Sequence, residues 1–307
     1  MKTKLITTVI VLIISFIGCN AQNEKKKVDF PELKGPYLGQ KTPGLEAELF
    51  APDILVHGKG THSNIVFSFE GTEAYWCYNG IWFSKFNNNS WTTPIMLPFS
   101  KKGDDAPFLS PDGKHLFFTS KRPITNSDKS QKEKIWVVDL LENGWTDARP
   151  LPPIVNNMFQ HWQISVDING NLYFGHRVDV SSDKDIYSSK YINGEFQKPE
   201  KLSGMINSEL NDNNPYISPN GDYLIFSRSK DGRLFDGGLF ISFRLNSDNW
   251  SMAKPLKQYL NFKHAGNCAI ITQNEKYLFF LDAFEGEWQR YWVSTKIIEE
   301  LKPKDLK

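Results

Sequence analysis

The chain has 307 residues, of which 40% are hydrophobic and 14% aromatic, enough to bury the core of one large β domain or two smaller ones. Its formal charge is +1 and its body carries no block of Lys or Arg, which argues against nucleic acid as a partner.

Lys2 and Lys4 precede an apolar run from Leu5 to Ile17 that is short for a bilayer span and fits the core of a signal peptide. Phe16-Ile17-Gly18-Cys19 has the form of a bacterial lipobox, with Phe where Leu is usual. The alternative is an ordinary secretory peptide cut near Ala21. The expected order is a signal peptide over 1–18, then a lipidated Cys19 and a flexible tether over 19–43 that contains Lys25, Lys26 and Lys27. Acyl chains would then be the sole membrane attachment of a cell-envelope protein. Cys77 and Cys268 sit inside apolar runs and read as buried thiols, although whether they pair is open.

From Leu45 onward a hairpin pattern recurs. Its turns fall at Gly71, Gly113, Gly170, Gly221 and Glu275, spaced by 42, 57, 51 and 54 residues. A third apolar strand follows each hairpin, at 80–86, 134–140, 185–191, 238–244 and 290–296. A fourth begins at Trp91, Trp145, Phe196 and Trp250 and runs to a Leu. The fifth unit lacks its fourth strand, and Leu45 to Pro52 region residues ahead of the first unit have the character to supply it. The period predicts an all-β chain forming a single β-propeller over 44–301, of five four-stranded blades closed by an N-terminal strand, with a tail at 302–307. A sixth blade stays open, because the inserts at 122–133 and 152–161 have room for strands.

Ser110-Pro111-Asp112-Gly113-Lys114 followed by Leu116 and Phe118, and its variant from Ser218 to Phe226, resemble the TolB-type, tricorn-like and WD-repeat-like propeller repeat. The lead-in from Gly35 to Gly44 resembles that of exported propeller lipoproteins of Bacteroidetes type. The first, third and fifth units depart from the turn chemistry, at Phe69-Glu70-Gly71, Asp167 to Gly170 and Gln273 to Glu275. The resemblance implies a propeller; such repeats occur in binding scaffolds, complex components and some enzymes, so fold alone does not choose a function.

In a propeller, loops that enter the inner strand and leave the second strand share the channel face. The first set gives His62, Asp104, Asp105, His161, Gln163, Asp212, Asn214 and His264. The second gives Arg122, His176, Arg177 and Arg228. Guanidinium groups among amides suit the carboxylate of an acidic saccharide or a peptide terminus. His62, His161 and His264 with Asp105 or Asp212 have the ligand types for a divalent metal, and this set resembles that of propeller lyases acting on uronate oligosaccharides, but no spacing motif supports it. Otherwise no cofactor is expected. The leading expectation is a non-catalytic envelope lipoprotein that binds a glycan, peptide or partner protein at the channel face. A uronate lyase or glycoside hydrolase on that face is the alternative, and a structural component of an envelope complex is the third. The Ser-Pro-Asp-Gly turns face the other way, and function is expected away from them.

Overall fold

Each repeat folds as an inner strand that reverses through a tight turn into a longer second strand. The computed structural model describes residues 30–55, 63–125, 127–179, 181–230, 237–246, 249–257, 266–284, 287–303 and 306, without the side chains of 160, 161, 283 and 284. Strand β1 (Glu48–Leu49) stands ahead of the repeats. Blade 1 holds β2 (Val66–Phe67), β3 (Glu73–Cys77), β4 (Ile81–Asn87), β5 (Ser90–Trp91) and β6 (Ile95–Met96). Blade 2 holds β7 (Asp105–Leu109), β8 (His115–Ser120), β9 (Lys134–Leu141), β10 (Gly144–Trp145) and β11 (Arg149–Pro150). In blade 3, β12 (Gln160–Val166), β13 (Leu172–His176) and β14 (Asp185–Ser189) are followed by the separate hairpin β15 (Tyr191–Ile192) and β16 (Glu195–Phe196) and then by β17 (Glu200–Lys201). Blade 4 is β18 (Asn211–Ile217), β19 (Tyr223–Ser229), β20 (Gly238–Phe243) and β21 (Lys254–Pro255). Blade 5 is β22 (Asn267–Ile271), β23 (Tyr277–Phe284) and β24 (Glu287–Ser294), to which β1 adds the fourth strand.

The ring therefore closes by pairing the two ends of the chain, through Glu48 opposite Trp292 and Leu49 opposite Tyr291. Phe50 fixes the closure: it is fully buried and meets Phe279 and Trp292 with ring centroids 4.9 Å away from each. The chain is an all-β, five-bladed propeller. The 152–161 insert forms only the helical turn α1 (Pro153–Asn156) before β12 begins, and the described part of 122–133 contains no strand. The last strand gives way to a short helix, α2 (Lys296–Leu301), which buries Ile297, Ile298 and Leu301.

Part of the expected tether is not free. The backbone N–H of Trp91 donates to Leu33 O at 3.1 Å, and its indole N–H donates to Gly35 O at 2.7 Å. Tyr37 is buried between Phe67 and Tyr277, with ring centroids at 5.1 and 5.2 Å. Gly71 makes room for it, since a Cβ there would lie 2.6 Å from the Tyr37 ring. The sequence reading had no strand or helix period by which to see this segment, because it packs through single aromatic anchors.

Four inner strands carry the same irregularity. Ala106, Trp162, Asn214 and Cys268 have φ of 50°, 59°, 51° and 49°, and each sits at a register shift against the second strand. Such bulges cost local strain and re-aim the side chains beside them. Asp105 Oδ1 accepts the Ala106 N–H at 2.7 Å and Asn267 Oδ1 accepts the Cys268 N–H at 2.8 Å, which offsets part of that strain. The kinks bring the inner strands together over the axis. Gln163 Nε2 donates to Ala269 O at 2.6 Å, Asn64 Nδ2 to Cys268 O at 2.9 Å, and Gln273 Nε2 to Ser110 O at 2.6 Å. These ties, with Phe67, Phe108 and Tyr216 between them, leave an axial cavity of about 20 Å³, roughly one water.

Candidate binding site at the channel face

Four of the predicted residues are joined as two matching pairs. Arg122 bonds Asp104, whose side chain is completely buried, and Arg228 Nε donates to the equally buried Asp212 at 2.6 Å. Each Asp precedes the bulge of its inner strand, in blade 2 and in blade 4, and each Arg comes from the end of the second strand. The surroundings repeat too. Lys101 N and Ser100 Oγ donate to Asp104, as Ser208 N and Oγ donate to Asp212. Arg122 lies over Phe118 and Trp136 at 5.1 Å, and Arg228 over Phe240 at 4.7 Å. Each guanidinium also bonds a carbonyl of the incoming connection, Phe99 O or Ile206 O. A buried ion pair needs such extra bonds to compensate for lost hydration. These charges fasten each blade to the segment that leads into it.

In blade 3 Gln160 occupies the position of Asp104 and Asp212 by register. Cations are nonetheless present. Lys184, just ahead of β14, is 7% exposed with its ammonium 4.8 Å from the centroid of the Trp162 ring. Burial, and next the charge of Arg177, lower its pKa to about 8, while the Glu133 charge acts the other way. Among the described residues nothing accepts a hydrogen bond from this ammonium. Glu133 is itself bonded, accepting the Trp162 N–H at 3.0 Å. Beside Lys184 lie Asn213 and Asn214, 5% and 1% exposed. Both amide atoms of Asn213, and Oδ1 of Asn214, have no hydrogen-bond partner among the described residues. Trp162, Lys184, Asn213, Asn214 and Arg228 share the walls of a cavity of about 20 Å³. Unpaired buried polar groups are costly in a native fold, at about 1–3 kcal/mol each, so a convergent set of them marks a place for a water or a ligand group.

The structure thus brings Asn214 and Arg228 to one cavity, with Asp212 behind Arg228. Gln163 lies on the axis. Asp105 is half-buried in blade 2, and its charge opposes the burial that lowers the pKa of fully buried Arg290 to about 10. His176 and Arg177 clasp Phe159: His176 Nδ1 lies 2.9 Å from its carbonyl, and the Arg177 guanidinium 4.9 Å from its ring centroid. His62 and His264 fall outside the described residues, as does the side chain of His161. Among the described residues no three His, Cys, Asp or Glu are grouped to hold a metal. Cys77 and Cys268 are buried thiols not joined in a disulfide, and burial raises both thiol pKa values. The sequence reading missed Lys184 by taking only loops before the first strand and after the second. The start of the third strand lies on the same face, and Asp183-Lys184-Asp185 was the signal.

The fold and this face define the class, a five-bladed β-propeller with a partly uncompensated polar cluster at one end of its channel. No protein-family model and no curated protein matches the chain. Among solved structures, it is similar to a chain assigned as TolB from Agrobacterium tumefaciens, at 15% identity over 73% of this chain and 72% of that one, with a TM-score of 0.47. A chain assigned as a 6-phosphogluconolactonase from Bacteroides uniformis aligns at 15% identity over 70% of this chain and 62% of its own length, with a TM-score of 0.40. Kuenenia stuttgartiensis hydrazine synthase aligns at 12% identity over 76% of each chain, with a TM-score of 0.43. At TM-scores below 0.5 these likenesses carry no argument about function, and the blade count rests on the strand pairing itself.

Proposed function

We propose that the chain is an exported, lipid-anchored propeller of the cell envelope, and that its channel face binds the acidic group of a glycan, peptide or partner protein. The observation that carries this reading is Lys184, a buried ammonium without a bonded acceptor among the described residues, beside the unpartnered side-chain amide of Asn213. A ligand carboxylate supplies the missing counter-charge. The entering oxygen accepts from the Lys184 ammonium and from Asn213 Nδ2. The cavity admits about one oxygen-sized group, so the acid enters while the remainder of the ligand rests outside. This is recognition without a reaction, and it needs no cofactor. Export and anchoring rest on the signal-peptide pattern and Cys19.

Calorimetric titration tests the reading in two arms, trigalacturonate against its methyl ester and a short peptide with a free against an amidated C-terminus. The acid form of at least one pair is expected to bind, and Lys184→Met to weaken it about tenfold or more. Equal binding of acid and blocked forms, or no effect of Lys184→Met, contradicts it. Replacing Cys19 by Ser should release the protein from the membrane fraction; retention contradicts the lipid anchor.

A further inference from the structure

Two of the seams between blades share a packing that a third lacks. Tyr75, Phe117 and Tyr173 occupy one equivalent position on the second strands, opposite Val66, Phe108 and Ser165. The aromatic that leads the fourth strand of the next blade reaches toward that position. Trp145 of blade 2 meets Tyr75 of blade 1 edge-on, with centroids 5.7 Å apart. Trp250 of blade 4 shares a buried cluster with Tyr173 of blade 3. There Arg244 lies 4.2 Å over the indole and donates to the Tyr173 hydroxyl at 2.9 Å.

Between blades 3 and 2 the corresponding residue is Phe196, a smaller ring. Its strand pairs only with β15, as a hairpin outside the blade 3 sheet. The Phe196 ring rests on Tyr191 at 4.8 Å, and no ring contact joins it to Phe117 among the described residues. The seam holds a cavity of about 730 Å³, lined by the Ser110–Asp112 turn, Phe117, Tyr191 and Phe196 among others. That volume is in the range of ligand clefts. It lies on the turn face, which the sequence reading took to be silent.

We propose that this cleft binds a partner polypeptide through an aromatic side chain that fills the space an indole occupies in the neighbouring seams. The rim fits such an anchor: Tyr191, Ile154 and Ile168 line it at 41%, 45% and 51% exposure, apolar groups that an extended chain covers. Its exposed rim charges are acidic, although Asp112 already accepts from Ser110 Oγ and the Lys114 N–H through one oxygen. Glu195 and Asp112 are exposed, whereas the Arg149 guanidinium is held by both oxygens of Asp139 at 2.7 and 2.8 Å. A basic residue flanking the aromatic therefore complements the rim. This site is separate from the channel face and stands whether or not that reading holds.

The test uses the full propeller and three peptides, acetyl-Lys-Gly-Trp-Gly-Lys-amide and its versions with Ala for Trp or Glu for both Lys. Binding is followed by NMR shifts of the protein. The Trp peptide is expected to bind and to shift the signals of Phe117, Tyr191 and Phe196. The Ala version should lose about tenfold or more in affinity, and the Glu version severalfold. Phe196→Trp fills the cleft from within and should abolish binding; Ile168→Lys, an exposed change, should weaken it, and Lys184→Met should leave it unchanged. Equal binding of the Ala peptide, shifts confined to the channel face, indifference to both Phe196→Trp and Ile168→Lys, or no binding at millimolar peptide overturns the proposal.

Discussion

Blades 2 and 4 against blade 3 show how one repeat can serve two purposes. In blades 2 and 4 each channel-face Asp is sealed by an Arg between aromatic rings, and the leading Trp of the fourth strand is packed onto the blade before it. Blade 3 has Gln160 and Phe196 at these positions. The first exchange leaves the Lys184 ammonium without a bonded acceptor among the described residues, and the second leaves a cleft. A repeat is held by what it satisfies internally; what it leaves unsatisfied is available to a ligand. Charged residues at a channel mouth therefore do not identify a site until their partners are counted.

Several substitutions would break or sharpen this contrast. Trp250→Ala removes a buried indole and is expected to cost about 3–5 kcal/mol in urea unfolding, whereas Phe196→Ala, half-exposed beside an open cleft, should cost roughly 1 kcal/mol or less. Similar losses at the two positions would remove the distinction between filled and open seams. Asp104→Ala leaves the Arg122 guanidinium, 9% exposed, without its carboxylate, and about 3–4 kcal/mol should be lost. A cost near that of an exposed pair would show that the Arg finds water instead. Gly175→Ala comes next, because an added Cβ would overlap the Asn213 amide across the blade 3 and blade 4 seam; a loss of about 1–3 kcal/mol is expected, and a neutral result would mean that Asn213 can swing away. The last contrast is in pH dependence. The unfolded chain keeps the Lys184 proton up to the ordinary value of 10.5 and the folded chain releases it near 8, so the unfolded state binds more protons between them. The stability of wild type relative to Lys184→Met should therefore rise with pH through that window, and parallel curves would remove the burial argument.

Much of the architecture was legible in the sequence because it rests on local patterns. The Gly or Glu turns, the alternating strands and the missing fourth strand of the fifth unit gave five blades and the closure through β1. Tyr37 was not legible, since one aromatic on an irregular segment has no period. At the channel face, Asp104, Arg122, Asp212 and Arg228 were readable as polar residues on a shared face, but their pairing depends on the bulges, which no residue type announces. Lys184 was hidden for another reason: it stands at the start of a third strand, and its place against the Trp162 ring is a contact between strands far apart in sequence. The cleft was written in the single exchange of Trp for Phe at 196, visible only when the four leading aromatics are compared by what they pack against.

The account depends most on Lys184 acting as a protonated anchor at the channel face. Its direct test is the affinity of the wild-type protein for the acidic probe that binds it, trigalacturonate or the free-acid peptide, followed from about pH 7 to pH 9.5. The account predicts that affinity falls as pH passes through about 8, with Lys184→Met weak and flat over the same range. Affinity independent of pH, with Lys184→Met binding as well as wild type, would contradict it.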